Sequence, residues 1–358
     1  MAELLKNYYN ETFIEKLANA FKAADANFDI ESFSKAVLDK NWKNLELKER
    51  ANHITAQIHA HLNYDYKTQI AIINKVAPQF SNFTALIFPN FVKHYGINDF
   101  ETSIPALKEY TKYSTSELAI RPFLVAQPAT IETMLEWSKD ENYHVRRLAS
   151  EGCRPLLPWA MKLHQYVEDP SPILPILANL RNDPEDYVYR SVANNLNDIS
   201  KHHPDLVLEI CKAWYPESDT TKWVCKHALR TLLKKGNQEA MKLFGFGGIE
   251  SIAIDQFEIK DRTIAIGKAT ELSISLKNKG KKAKFRLEYE ISYLKKNGKH
   301  SGKVFQLRET TLKQGEVLTF SKKLDFKNLS TRKHYVGKHF AHLKVNGNPV
   351  KTLEFNLE

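Results

Sequence analysis

Three stretches of this chain superpose on one another: Asp140-Glu-Asn-Tyr-His-Val145-Arg-Arg147, Asp183-Pro-Glu-Asp-Tyr-Val188-Tyr-Arg190 and Asp219-Thr-Thr-Lys-Trp-Val224-Cys-Lys226. Their valines lie 43 and 36 residues apart. Each copy starts on an acid, as the positive end of a helix dipole favours, sets an apolar anchor, and places a cation two positions on. A unit of this length holds a pair of helices and cannot bury its apolar face alone. The copies are therefore expected to stack into a solenoid in which corresponding helices line one surface.

The spacing elsewhere agrees with helix up to one point and departs from it afterwards. Phe13 to Ala23, Leu47 to Leu62, Tyr66 to Ala77, Glu117 to Ala126 and Ile131 to Trp137 place apolar residues three and four apart, the stripe of a surface helix. Asp183-Pro184-Glu185-Asp186 and Ser218 to Thr221 carry the acids and hydroxyls that open further helices. At Phe244-Gly245-Phe246-Gly247-Gly248 the composition changes: all five tryptophans and all three cysteines precede this run, and seven of the thirteen glycines follow it. The period then falls to two, with Leu272, Ile274 and Leu276, then Phe285, Leu287, Tyr289, Ile291 and Tyr293, then Ala341, Leu343 and Val345, then Leu353, Phe355 and Leu357 alternating with polar residues. Asn297-Gly298 and Asn346-Gly347 are hairpin-turn signals. The expected fold is multidomain α plus β: an α-solenoid of HEAT-like repeats over residues 1–247, then an immunoglobulin-like β-sandwich of six to eight strands over 250–358.

Charge follows the same division. Residues 251–358 carry 23 Lys+Arg against 11 Asp+Glu, net +12, so that 29 against 31, net −2, remain for the rest of a chain whose total is +10. A basic module beside a neutral one favours a polyanion over a small metabolite as partner; Lys282 and Lys284, in one of its turns, are candidate DNA contacts. The opening MAELLKNYYNETF has neither the apolar core nor the cleavage site of a leader, and no apolar run approaches the ~20 residues of a membrane span, which places the chain in the cytoplasm, associated with the nucleoid. Cys153, Cys211 and Cys225 are widely spaced without a CxxC, so reduced, buried thiols are expected and neither a metal nor a cofactor is implied. His53, His59 and His61 lack the four-residue step of a helical metal pair; His202-His203 is read as a helix-terminal cation, and Trp137, Trp214 and Trp223 as core.

Following the cationic position of each repeat in steps of four gives Arg147 and Glu151, then Arg190, Asn194 and Asp198, then Lys226, Arg230 and Lys234. Three helices in register thus present cations suited to a phosphate backbone, and two of them set a carboxylate among those cations. Ordinary intrahelical ion pairs explain any single helix; the register across repeats is what they do not explain. A protein-binding or DNA-sensing scaffold without catalysis is the alternative reading of the same surface.

The run Val145-Arg-Arg-Leu-Ala-Ser-Glu-Gly-Cys-Arg-Pro-Leu-Leu-Pro-Trp159, with Val188-Tyr-Arg-Ser-Val-Ala-Asn-Asn-Leu-Asn-Asp198-Ile-Ser-Lys and Thr115-Ser-Glu117-Leu-Ala-Ile-Arg-Pro-Phe123, resembles the AlkC branch of the AlkD/AlkC HEAT-like DNA glycosylases. The added sandwich is similar to the immunoglobulin-like domain of one AlkC subgroup. The resemblance implies a monomer that binds double-stranded DNA and hydrolyses the N-glycosidic bond of N3-methylated bases, chiefly 3-methyladenine and 3-methylcytosine, without metal or lyase step. It implies Glu117, Glu151 and Asp198 as the carboxylates at the lesion, Trp159 against the sugar-phosphate, and Arg147 and Arg190 on the backbone. Asn194, Lys226 and Arg230 extend that contact by register. Leu156 stands where many relatives carry a basic residue, so that phosphate contact is not carried over. The chemistry suits the residues: an N3-alkylated purine already bears positive charge, and what remains is to stabilise an oxocarbenium-like sugar and position water, both tasks for carboxylates. Glu151 and Asp198 should therefore face one site.

Overall fold

The computed structural model describes residues 4–329 and 332–358; Met1 to Glu3, at the start of the segment read for a leader, lie outside the described residues. Helices fill the chain up to Leu243 and strands follow from Ile252. Four of the five expected helices form as Glu11–Ala24, Leu47–His61, Tyr66–Val76 and Thr130–Trp137. The fifth shortens to Arg121–Ala126, with Pro122 in its first turn; proline is accepted there, but the residue before it is disfavoured as helix interior, so Glu117 sits in the preceding turn.

The repeats stack as their anchors require. Val145, Val188 and Val224 are all fully buried, and helix Asp186–Ile199 packs against both Tyr143–Gly152 and Asp219–Ala228. Polar side chains lace these helices together. Arg146 forks onto Asp183 (Nε 2.6 Å, Nη2 3.0 Å), Asn195 Nδ2 donates to the Ser150 carbonyl at 2.9 Å, and Asn197 Nδ2 to that of Ala228 at 2.7 Å. Cation–π contacts repeat the same step: the guanidinium two places after one anchor lies over the ring just before the next, Arg147 on Tyr187 at 4.6 Å and Arg190 on Trp223 at 4.8 Å. Trp137 is core, but Trp214 and Trp223 are only partly buried, the corrected reading being rings that carry Arg181 and Arg190. All three cysteines are buried, and burial pushes the Cys153 thiol up to about 12.

Among the described residues eight strands form the sandwich: β1 Ile252–Ile259, β2 Thr263–Ile264, β3 Ala269–Asn278, β4 Ala283–Leu294, β5 His300–Leu312, β6 Val317–Asp325, β7 Gly337–Val345 and β8 Asn348–Leu357. Sheet order is β1-β3-β6 in one layer and β2-β8-β7-β4-β5 in the other, and the alternating residues named above meet in the core between them, with Leu353 only partly buried at its margin. Asn346-Gly347 closes β7 onto β8 with both residues at positive φ (48° and 79°), as a two-residue I′ turn needs. In the longer β4–β5 connection only Gly298 is left-handed (φ 76°).

By contact the chain divides into two compact units, one running to His203 and resuming at Ala213–Ala228, the other made of Pro204–Lys212 and Leu229–Glu358. Helical residues that precede the glycine-rich junction therefore cluster with the strands. Gly236 and Gly347 explain part of this, since a Cβ on Gly347 would lie 2.4 Å from the Gly236 Cα; only glycine permits so close a backbone approach.

Candidate active site and nucleic-acid interface

Helix Tyr143–Gly152 starts at Asn142, whose side chain accepts from the His144 N–H. With Val145, Leu148 and Ala149 turned to the core, Arg147 and Glu151 fall one turn apart on the adjoining face. The helix ends at Cys153, and the segment that follows hangs on one side chain. Arg121, fully buried, donates from Nη1 to the Gly152 and Arg154 carbonyls (2.8 Å each) and from Nε to that of Met161 at 2.9 Å. Burial brings its guanidinium down to about 10. Between those anchors Trp159 stands 77% exposed at φ 65°, a left-handed conformation that costs a non-glycine residue about 1–2 kcal/mol.

Arg154, placed by this segment, joins the two carboxylates. Its Nη1 donates to Glu151 at 2.7 Å and its Nε to Asp198 at 3.0 Å. All three are nearly buried; burial opposes the charge of Arg154, but Glu151 and Asp198 outweigh burial and raise its pKa. Lys201 meets the other Asp198 oxygen at 3.0 Å from a side chain 38% exposed. On the opposite flank Arg147 pairs with Glu117, approaches Glu151 at 3.4 Å and donates to Thr115 Oγ1 at 3.0 Å, while Thr115 donates to Glu117. Three carboxylates and three cations from four segments thus form one cluster. Glu151 and Asp198 face the same site.

Two clefts meet the cluster at Thr115, and both also share Leu86. One, of about 650 Å³, is lined by Tyr113, Tyr143, His144, Tyr187, Glu185 and Asp186 among others. The other, of about 190 Å³, runs between Lys48, Asn52, Lys93 and Trp159. Lys48 Nζ donates to the Trp159 carbonyl at 2.8 Å and lies 5.6 Å from its ring, which helps hold the strained residue.

The remaining candidates are placed as follows. Arg190 is exposed, paired with Asp186 at 2.5 Å and stacked on Trp223. Asn194 Oδ1 lies 3.2 Å from His227 Nε2. Lys226 lies in the last turn of helix Asp219–Ala228, whereas Arg230 and Lys234 belong to a separate helix, Arg230–Lys234, after Leu229 at φ −86°, ψ 5°; the single face drawn through all three is broken there. Arg147 faces carboxylates rather than projecting as a bare cation. Lys282 is exposed, but Lys284 donates to the Phe244 carbonyl at 3.1 Å and covers the Phe246 ring at 4.7 Å, so its charge tethers the junction. His203 meets the Val167 carbonyl at 2.8 Å, and no group of three metal-type ligands occurs among the described residues. Sequence reasoning missed Arg154 and Arg121. Arg154 had a signal, a cation three residues after Glu151; Arg121, read as part of a helix stripe, had none.

Residues 5–232 match the model of the DNA alkylation repair enzyme family, and residues 253–358 that of the YhaZ C-terminal Ig-like domain. The chain is 40% identical over 354 residues to the uncharacterized protein YhaZ of Bacillus subtilis (strain 168), covering 99% of each. Among solved structures it is similar to the Pseudomonas fluorescens alkylpurine DNA glycosylase AlkC bound to DNA containing an abasic site analog: 35% identity, TM-score 0.96, covering 99% of this chain and 100% of the other. No described helix is long and apolar enough to cross a membrane.

Proposed function

Since the chain belongs to the DNA alkylation repair enzyme family, we propose that it is a DNA glycosylase that hydrolyses the N-glycosidic bond of N3-methylated bases, 3-methyladenine and 3-methylcytosine, in duplex DNA. The observation that carries this reading is Arg154 held between Glu151 and Asp198, carboxylates from successive repeats converging at one buried point beside clefts on a DNA-binding fold. A scaffold that only binds gives no reason to bury acids among cations facing phosphate, because they weaken binding unless they act in the transition state.

In the proposed reaction the C1′–N bond breaks with its electron pair passing to the base, which cancels the positive charge of the methylated ring. The sugar becomes oxocarbenium-like, Glu151 and Asp198 stabilise it, and water adds at C1′ as it loses a proton to a carboxylate. The products are free methylated base and an abasic site. Arg147 and Lys201, at the margins of the cluster, can exchange their carboxylates for DNA phosphates; the acids would then hold excess negative charge only when DNA is bound. Arg190 and Asn194 continue the backbone contact, and the net +12 of residues 251–358 supplies the rest of the grip on duplex. The protein works in the cytoplasm, as a monomer, with residues 1–247 carrying the chemistry.

The test is release of free methylated base from methylated duplex. Asp198→Asn and Glu151→Gln should each lower the rate by about 100-fold or more, the usual size for a positioned acid–base group, with affinity for abasic-analogue duplex retained and no strand cleavage by wild type. Full rates in both variants would remove these residues from the reaction.

A further inference from the structure

The two clefts that meet at Thr115 differ in charge. The larger contains Glu185 and Asp186 and a set of aromatic rings. No acid lines the smaller, and its charged groups are Lys48 and Lys93. Neither lysine pairs with a carboxylate among the described residues; the one polar contact of either ammonium is that of Lys48 with the Trp159 carbonyl. Asn52 adds a donor. Its Oδ1 accepts from Asn90 Nδ2 at 3.0 Å and meets His94 Nε2 at 3.3 Å, which commits the oxygen and leaves the amide N–H groups for the cleft. Burial and the charge of Lys48 both lower the pKa of Lys93, as expected of two ammonium groups waiting for a shared anion.

We infer that this cleft is a phosphate seat: Lys48, Lys93 and the Asn52 amide take one phosphodiester of the damaged strand, close to the lesion, with Trp159 as the wall against the adjoining sugar. Its position gives it a purpose beyond affinity. The seat is continuous with the carboxylate cluster through Thr115, and Lys48 also holds the Trp159 segment, whose start carries Arg154. A phosphate lodged there fixes the strand relative to Glu151 and Asp198. Phosphate contacts set register without reading sequence, which suits an enzyme whose target is a modification rather than a base order. The assignment rests on the reading of this chain as DNA-binding and adds contacts from helices Leu47–His61 and Ile87–Tyr95, both outside the repeats from which the cationic stripe was drawn.

The experiment measures affinity for abasic-analogue duplex and for the same duplex undamaged at several salt concentrations. Each lost phosphate contact flattens the log–log salt slope by about 0.9. Lys93→Gln should show that loss on both duplexes, and Lys93→Arg should not. Lys48→Gln, at an exposed position, gives a second reading should Lys93→Gln fail to fold. A scan of neutral methylphosphonates along the strand should then find one phosphate near the lesion whose replacement weakens wild type but leaves Lys93→Gln unaffected. Wild-type slopes in both Lys→Gln variants, or no such phosphate in the scan, overturn the seat. Base release by wild type alongside unchanged slopes removes the seat and leaves the glycosylase standing. Flattened slopes without base release keep the seat and remove the glycosylase.

Discussion

Among the described residues a buried arginine lies between two carboxylates twice, once in each unit. In the sandwich, Arg286 on β4 donates to Glu288 on its own strand (Nε 3.0 Å, Nη2 2.8 Å) and to Glu309, its register partner on β5, at 2.9 Å. That triad is closed at Glu288, which is fully buried and has an unpartnered second oxygen, while Glu309 is 14% exposed and accepts from Gln306 at 3.5 Å. In the helical unit Arg154 does the same for Glu151 and Asp198, but those acids come from different repeats, Lys201 leads from Asp198 to solvent, and Arg147 and Thr115 lead from Glu151 to two clefts. Burial and pairing are common to both. Assembly from distant segments, at the meeting of two clefts, marks the second. The difference teaches that a buried ion triad is not itself a sign of chemistry; an open edge through which a substrate can displace one partner is.

The sharpest way to break this comparison is to damage each triad in turn. Asp198→Asn should remove base release, as argued above, and spare the fold, because the amide oxygen still accepts from Arg154. Arg286→Met should do the opposite. It strands a fully buried Glu288 without its counter-charge, a loss of about 3–5 kcal/mol in a denaturant titration, while the folded fraction keeps its single-turnover rate on saturating DNA. Loss of rate there would mean that the sandwich triad also supports the reaction.

Within the sandwich a smaller contrast separates two lysines that the sequence treats alike. Lys282→Glu should weaken duplex binding several-fold and flatten its salt dependence by up to about two contacts, with an unchanged melting temperature. Lys284→Glu should in addition lower the melting temperature, because it breaks the bond to the Phe244 carbonyl and uncovers Phe246. Identical melting of the two variants would show that the tether carries no weight.

What the sequence revealed and concealed follows from how local each signal is. The buried valines and the period-two strands report burial on a regular element, and their faces are legible from spacing alone. Glu151 and Asp198 were legible for the same reason, each one or two turns from a cation fixed by the repeat. Lys284 and Arg147 misled because spacing gives the face of a residue but not the partner that reaches it, here a backbone carbonyl after the junction and a glutamate from a turn. Lys226 and Arg230 are separated by a break at Leu229 that no proline or glycine announces. Lys48, Lys93 and Arg121 carried no signal, since their meaning depends on the Arg154–Met161 segment packing beside helices far away in the chain.

Acid separates the two triads' surroundings more gently. His339, fully buried, accepts from the Leu294 N–H at Nδ1 (3.2 Å) and donates from Nε2 to the Tyr335 carbonyl (3.0 Å), a pattern only the neutral ring can satisfy. Burial lowers its pKa, and likewise that of His334, which also feels Arg332 and His339. The unfolded chain binds these protons near pH 6.5 while the folded sandwich resists them, so below that pH the unfolded state holds more protons and stability falls as pH drops, by at most about 1.4 kcal/mol per unit for each histidine. The melting temperature should therefore decline from pH 7 to pH 5, and the decline should be shallower in His339→Gln, whose amide can keep one of the two bonds without titrating. An equal decline in that variant would assign the acid sensitivity to other groups, with His94 and His144 of the helical unit, both lowered by burial, the next to replace.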